Sequence, residues 1–150
     1  MPSPKHVRLG GTQELAVPAS VLSERPGLSS YEGSRLLVGV RPEDIEDADL
    51  VEDGADGRII AATLDIREDM GSEVYAHFPV DAPAPEVEAV EEAIGHEAAV
   101  AQAEAARRGG RRFIGRLDRM TRVREGSPIR LAVDTRRLHF FDSKTGHAIY

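Results

Sequence analysis

The chain has 150 residues, 41% of them hydrophobic and 30% charged, which is enough for one domain with a hydrophobic core or two very small ones. It has no cysteine, which excludes disulfides and thiolate metal sites, and its net charge of −7 argues against nonspecific nucleic-acid binding. No apolar run approaches the roughly 20 residues of a membrane helix, and the start of the chain has no signal-peptide pattern, so a cytoplasmic location is expected.

The first 56 residues predict short strands separated by turns. Alternating residues mark strands at 6–9 and 14–17, and residues 36–40 form a continuous apolar strand after the turn cluster at 29–34. Pro42 ends that strand because proline cannot donate a hydrogen bond to the ladder. The acid-rich segment at residues 43–56 predicts a turn and loop.

The next segment predicts an antiparallel hairpin. Residues 58–67 are typical of one long strand, and residues 68–72 of a hairpin connection. Residues 73–78 alternate and place Val74, Ala76 and Phe78 on one face.

Residues 83–112 have a different character and predict a helical insertion within a single domain spanning residues 1–150. Two prolines precede an Ala- and Glu-rich stretch, and Gly109 and Gly110 end it. Its apolar residues recur at helical spacing. They are Val87, Val90, Ile94, Ala98, Ala101 and Ala105.

The β pattern returns after the insertion. Strands are predicted at residues 113–117, 129–133 and 138–141, followed by a turn at 142–146. The segment beginning Glu32-Gly33-Ser34 recurs 93 residues later as Glu125-Gly126-Ser127, each followed by a buried strand and an apolar anchor. This repetition predicts two related β units.

Charge is distributed unevenly. Residues 107–137 contain 11 arginines and three acidic residues, whereas residues 1–106 contain 22 acidic and seven basic residues. The two parts either neutralise each other, within one fold or across a dimer, or form a nucleic-acid groove. Aromatic residues total only 5%, which weakens the second interpretation because base stacking needs them.

The sequence carries no motif for catalysis, cofactor binding or metal binding. It has no phosphate loop, no dinucleotide-binding fingerprint and no nucleophile elbow. No two of its five histidines lie four residues apart on a helix; His139 and His147 could meet across a terminal hairpin, but surface or edge positions are favoured. We therefore predict no catalytic, cofactor-binding or metal-binding residue.

Three segments resemble one known family. Residues 37–45, containing Gly39-Val40-Arg41-Pro42-Glu43, resemble a motif in the regulatory domain of maltose-type ABC importer ATPase subunits. The bend around Gly71-Ser72 and the ending His139-Phe140-Phe141-Asp142 through Gly146 resemble two further motifs of that domain, in family order. The long insertion resembles those of actinobacterial members and departs from the short loop of the family.

The resemblance implies an all-β fold, an OB-like (transport-associated OB) barrel. It gives a set of candidate structural or partner-contact residues: Gly39, Arg41, Pro42, Glu43, Gly71, Ser72, His139, Phe140, Phe141 and Asp142. Arg41 and Glu43 either hold the bend at Pro42 through a local ion pair or cap, or contact a partner subunit. Of the adjacent phenylalanines, one is expected in the core and the other at a partner contact.

The resemblance also implies a non-catalytic regulatory and dimerisation domain of a carbohydrate importer. Its expected partners are a second ATPase subunit, the membrane permease subunits and regulatory proteins, without nucleic acid and without insertion into the membrane. It would work at the cytoplasmic face of the membrane, with ATP and Mg²⁺ bound by a separate ATPase domain. Two alternatives stay open: an oxyanion-binding barrel, disfavoured because Ser34 and Ser127 lie beside acidic residues, and an RNA-binding OB module.

Overall fold

The computed structural model describes residues 5–9, 13–52, 55–80 and 111–150. Within these residues the chain forms ten short strands, one short α-helix and four 3₁₀ turns. The strands are β1 (Lys5–Leu9), β2 (Gln13–Val17), β3 (Leu36–Gly39), β4 (Ile45–Asp47), β5 (Ile59–Thr63), β6 (Ile66–Asp69), β7 (Glu73–Val80), β8 (Arg111–Asp118), β9 (Pro128–Val133) and β10 (His139–Asp142). The helix is α1 (Ala19–Glu24), and the 3₁₀ turns are Pro26–Tyr31, Pro42–Asp44, Ala48–Leu50 and Thr135–Arg137. The predicted all-β class is confirmed.

The strands form four small antiparallel sheets. Their orders are β1-β2, β10-β3, β4-β9-β5 and β6-β7-β8. Isolated backbone bonds join neighbouring sheets, such as the bond of 2.7 Å from the Ala16 N–H to the Gly57 carbonyl. This arrangement is consistent with the predicted OB-like fold, although the sheets do not close into one continuous ladder.

One main core lies inside these sheets. Strand β7 shows why: Val74, Ala76, Phe78 and Val80 are buried, whereas the residues between them face outward, because successive strand residues point to opposite faces. The largest fully buried side chains are Phe78, Phe140, Leu15, Ile45, Ile60, Leu64, Leu117, Leu131, Leu138, Val74 and Val133.

The single long strand predicted at residues 58–67 is wrong, because two strands in different sheets occupy this segment. Strand β5 pairs with β9, and only β6 pairs with β7 as the predicted hairpin. The change of partner occurs at Leu64, whose N–H donates to the Ser127 carbonyl at 3.0 Å, and Asp65, whose N–H donates to the His77 carbonyl at 2.9 Å. The break therefore depends on distant partners, which a local pattern does not reveal.

The turn and loop predicted at residues 43–56 are also wrong in part, since the segment contains β4, the whole 3₁₀ turn Ala48–Leu50 and the end of the 3₁₀ turn Pro42–Asp44. Ile45 is 1% exposed and Asp47 is 6% exposed. The Asp47 carboxylate accepts hydrogen bonds from the Asp49 N–H at 3.0 Å and from the Thr121 hydroxyl. A buried carboxylate is tolerated when its oxygens are satisfied in this way, so high acidity did not make this segment a loop.

The register confirms the two related β units. Strand β3 pairs with β10 and β4 pairs with β9, with Gly39 opposite His139 and Glu46 opposite Ala132. Adding 93 to the number of Gly39 gives Ala132, and subtracting 93 from the number of His139 gives Glu46. Shifting each residue by one repeat therefore converts the β3–β10 pairing into the β4–β9 pairing. The turns match as well, since Gly33 and Gly126 have φ of +80° and +79°.

The predicted insertion at 83–112 lies outside the described residues up to residue 110, and its last two residues belong to β8. Val80 at the end of β7 is paired with Arg111 at the start of β8. Among the described helices, none is long and apolar enough to span a membrane.

Candidate partner-contact surface

The turn after β3 holds Arg41, Pro42 and Glu43. Pro42 begins a 3₁₀ turn, as its fixed φ favours, and the Asp44 N–H closes the turn on the Arg41 carbonyl at 3.0 Å. The side chains of Arg41 and Glu43 are exposed, and within the described residues they form no ion pair with each other or with a neighbour. The backbone holds the bend, so both charged groups are available to a partner.

Two carboxylates beside this turn have opposite pKa shifts. The Asp44 side chain is only 7% exposed, and this burial raises its pKa more than the Arg137 guanidinium, 3.9 Å away, lowers it. The hydrogen bond from Arg136 lowers the pKa of Asp134, against a smaller opposing effect of burial.

A shallow surface depression of about 360 Å³ lies at this turn. It is lined by Glu43, Asp44, Glu46, Val51, Arg58, Arg116, Ala132, Asp134 and Arg137. Two of its arginines already have partners. The Arg58 guanidinium donates to the Val133 carbonyl at 3.0 Å, and Arg116 forms an ion pair with Glu73 at 3.3 Å. This mixture of engaged charges suits contact with another polar surface better than capture of a small anion.

The β3–β10 pair carries the candidate residues at the end of the chain. Phe140 is 2% exposed and belongs to the core, with the Arg25 guanidinium 5.7 Å from its ring centroid. Phe141 is half-buried on the opposite side and lies over Gly39, where a Cβ atom would meet its ring at 3.3 Å. The two phenylalanines therefore divide as predicted between core and surface, while the contact made by Phe141 stays a prediction.

Asp142 organises the turn that follows β10. Its carboxylate accepts bonds from the backbone N–H groups of Lys144 at 2.8 Å and Thr145 at 2.9 Å, and from the Tyr31 hydroxyl at 2.7 Å. The Thr145 N–H, followed by the Tyr31 hydroxyl, lowers the pKa of Asp142 to about 2. The bond to Asp142 in turn raises the pKa of Tyr31.

The remaining candidates are separate from this group. Gly71 and Ser72 are exposed in the β6–β7 turn, where Gly71 has φ of +88° and the Met70 N–H donates to the Glu73 carbonyl at 2.9 Å. They belong to a different sheet from β3 and β10. His147 lies opposite Asp142 rather than His139, through the bond of 2.9 Å from the Asp142 N–H to the His147 carbonyl. Across the part of the chain that the structure describes, no group of three His, Cys, Asp or Glu side chains is placed to hold a metal ion.

Sequence reasoning missed two hydrogen bonds between residues far apart in the chain. Tyr31 is the only aromatic residue in a turn cluster of Ser, Glu and Gly, which is a weak signal for an anchoring role. Thr121 lies within an arginine-rich segment and carried no signal that it bonds to Asp47, 74 residues away in the chain.

Known proteins similar to this chain are ATP-binding subunits of sugar importers. The chain is 29% identical to the trehalose/maltose import ATP-binding protein MalK of Thermococcus litoralis over 83% of its own length. It is 33% identical to the trehalose import ATP-binding protein SugC of Mycobacterium tuberculosis over 74%, and 27% identical to the oligosaccharides import ATP-binding protein MsmX of Bacillus subtilis over 90%. The chain is homologous to a C-terminal portion of sugar-importer ATP-binding subunits.

The match covers a minor part of these relatives. The chain spans 26% to 29% of their length. No protein-family model matches it. The family relation predicted from three short motifs is confirmed by these similarities.

Proposed function

We propose that the chain is the regulatory and dimerisation domain of the ATP-binding subunit of a bacterial carbohydrate importer. The observation that carries this proposal is its similarity to three such subunits over 74% to 90% of its length. The exposed Arg41–Glu43 turn adds support, because it leaves charged groups available on a backbone that is already closed.

In this proposal the domain acts by contact and not by chemistry. Its partners are a second ATP-binding subunit and, through the full subunit, the membrane permeases at the cytoplasmic face. Regulatory proteins are further candidate partners. ATP and Mg²⁺ are bound by another part of the full subunit, and the sequence of this chain contains no phosphate loop.

A domain exchange tests the proposal. The homologous portion of the M. tuberculosis trehalose import subunit is replaced by this chain, and trehalose uptake is measured in cells that lack the native subunit. We expect uptake above that of a subunit truncated at the same position. A chimera carrying Leu131→Asp is the control for folding, because Leu131 is fully buried.

Uptake no better than that of the truncated subunit, from a chimera that is folded and present at normal level, contradicts the proposed function. A nucleotide titration of the isolated chain by calorimetry is a second check. We expect no ATP binding, and micromolar affinity for ATP would contradict the non-catalytic role.

A further inference from the structure

The connection between β8 and β9 exposes cations without local partners. We define the arginine loop by Met120, Arg122 and Arg124. Met120 is 67% exposed, and the two arginines are exposed and form no ion pair with any residue that the structure describes. They alternate with Thr121, which is 5% exposed, and with Val123, which packs against the core.

The arginine loop is held in place by hydrogen bonds to other segments of the fold and within the loop. The Thr121 hydroxyl donates to the Asp47 carboxylate, and the Arg67 guanidinium donates to the Val123 carbonyl at 2.7 Å. The Met120 N–H donates to the Asp118 carboxylate at 2.9 Å. A loop fixed in this way loses little conformational entropy when it meets a partner.

An oppositely charged surface lies next to it. We define the acidic turn by Asp49, Leu50 and Glu52, which follow β4. All three side chains are exposed, with Leu50 at 40%, and neither carboxylate forms an ion pair with a residue in the described ranges. The Asp47 carboxylate caps this turn through the Asp49 N–H and also bonds to Thr121 of the neighbouring loop.

The two surfaces are therefore fixed side by side. Besides the bond between Asp47 and Thr121, the Asp118 N–H donates to the Glu46 carboxylate at 3.0 Å, which ties the start of the connection to β4. A positive patch beside a negative patch, each with one exposed apolar side chain, is self-complementary. A two-fold rotation about an axis between them places each patch on the opposite patch of a second copy.

We propose that the arginine loop and the acidic turn together form an isologous interface between two copies of this chain. Arg122 and Arg124 of one copy meet Asp49 and Glu52 of the other, and Met120 and Leu50 pack between the two ionic contacts. The inference rests on the proposed function in that it names a surface for the dimerisation step. A lipid or nucleic-acid surface fits less well, because the acidic turn would be held against the same anions.

Charge-reversal variants test the interface by sedimentation equilibrium over a concentration series. We expect the wild-type chain to dimerise more weakly at high salt. Arg122→Glu/Arg124→Glu and Asp49→Arg/Glu52→Arg should each weaken the dimer at least about tenfold, because each places like charges in contact. Arg35→Glu/Arg130→Glu changes the net charge as much as the first pair but lies outside the interface, and it should leave the dimer intact.

Mixing the two interface variants gives the sharpest result. One variant then carries only acidic groups at the interface and the other only basic groups, so both ionic contacts reform in a heterodimer. We expect the mixture to associate where neither variant does alone, a recovery that misfolded variants cannot produce.

Three results would overturn the proposal: a wild-type chain that stays monomeric, interface variants that associate like the wild type, or a mixture that does not recover. Binding of the chain to phosphatidylglycerol vesicles that the arginine reversals abolish, with self-association unchanged, would assign the arginine loop to lipid instead. The domain exchange tests the proposed function separately. A chimera that supports uptake, together with charge-reversal variants that dimerise like the wild type, rejects the interface alone. A chimera that fails, together with a confirmed interface, rejects the proposed function.

Discussion

Asp142 accepts three hydrogen bonds that join the end of β10 to the following turn and to Tyr31, 111 residues earlier in the chain. These bonds favour the ionised carboxylate and lower its pKa from 3.8 to about 2. A carboxyl group whose pKa is lower in the folded than in the unfolded chain stabilises the fold above the unfolded value. This contribution is lost as the pH falls through the folded value.

The Asp142→Asn variant should therefore melt a few degrees below the wild type at pH 7. The neutral amide has one acceptor oxygen in place of the two charged oxygens of the carboxylate, so it cannot accept all three hydrogen bonds. The difference in melting temperature should narrow as the pH falls from about 4 to about 2, where the wild-type carboxyl becomes protonated. Thermal unfolding followed by circular dichroism at several pH values measures this. A difference that stays constant across that range would show that Asp142 acts through packing alone.

Arg41→Ala should change the free energy of unfolding by less than about 0.5 kcal/mol, because the exposed side chain bonds to no described residue. Urea denaturation measures this, with Arg58→Ala as the matched control. The Arg58 guanidinium donates to the Val133 carbonyl, so its removal should cost about 1–3 kcal/mol. If Arg41 contacts a partner, the Arg41→Ala substitution also weakens association of the full subunits. If neither stability nor association changes, Arg41 has neither a structural nor a contact role.

Among the elements, β8 is held unusually close to β4. A Cβ atom on Gly115 would lie 2.8 Å from Cγ2 of Ile45, a side chain that is itself 1% exposed. This contact brings the β6-β7-β8 sheet against β4, which belongs to a different sheet. Glycine at this position is required by the close approach of the neighbouring strand.

Gly115→Ala should lower the free energy of unfolding by about 1–3 kcal/mol, because Ile45 has little room to move. Adding Ile45→Leu, which removes the branched methyl group at the point of contact, should make the double variant less destabilised than the sum of the two single variants. Urea denaturation of the three variants measures both effects. Strict additivity would mean that Gly115 and Ile45 do not limit each other.

At the scale of the whole molecule, the two repeated units are interlocked. The first strand of each unit pairs with the second strand of the other, so neither unit has its full set of partners alone. Residues 64, 126 and 127 add further bonds between distant segments. We expect cooperative unfolding of the described sheets as one structure, since each ladder requires both halves of the chain.

Replacing residues 81–110 with a short Asn-Gly hairpin turn tests whether the insertion belongs to that structure. Val80 and Arg111 already pair across β7 and β8, so the strand ends are at hairpin distance. The shortened chain should unfold cooperatively, with stability changed by about 1–2 kcal/mol. Loss of the cooperative transition in urea would place the insertion within the core.

Several features followed from the sequence alone because their causes are local. The period-two pattern of β7, the glycine turns before β3 and β9, and the end of β3 shortly before Pro42 depend on residues within a few positions of each other. The repeat offset of 93 residues also predicted that the two β units are structurally related, which the strand register confirms. The family relation followed from short motifs that the similar proteins then confirmed.

Other features depended on contacts between distant residues. The division of residues 58–67 into β5 and β6 is set by partners at Ser127 and His77, and the burial of Asp47 in an acidic segment is set by the hydroxyl of Thr121. The sequence contained both the acidic and the arginine-rich segments, but their adjacency results from the Asp47–Thr121 bond. The sequence by itself determined the strand class, the turns and the repeat, because these are short-range steric and periodic effects. Only the tertiary structure decided which strands pair and which charges lie side by side, because hydrogen-bond partners in a β fold are chosen across the whole chain.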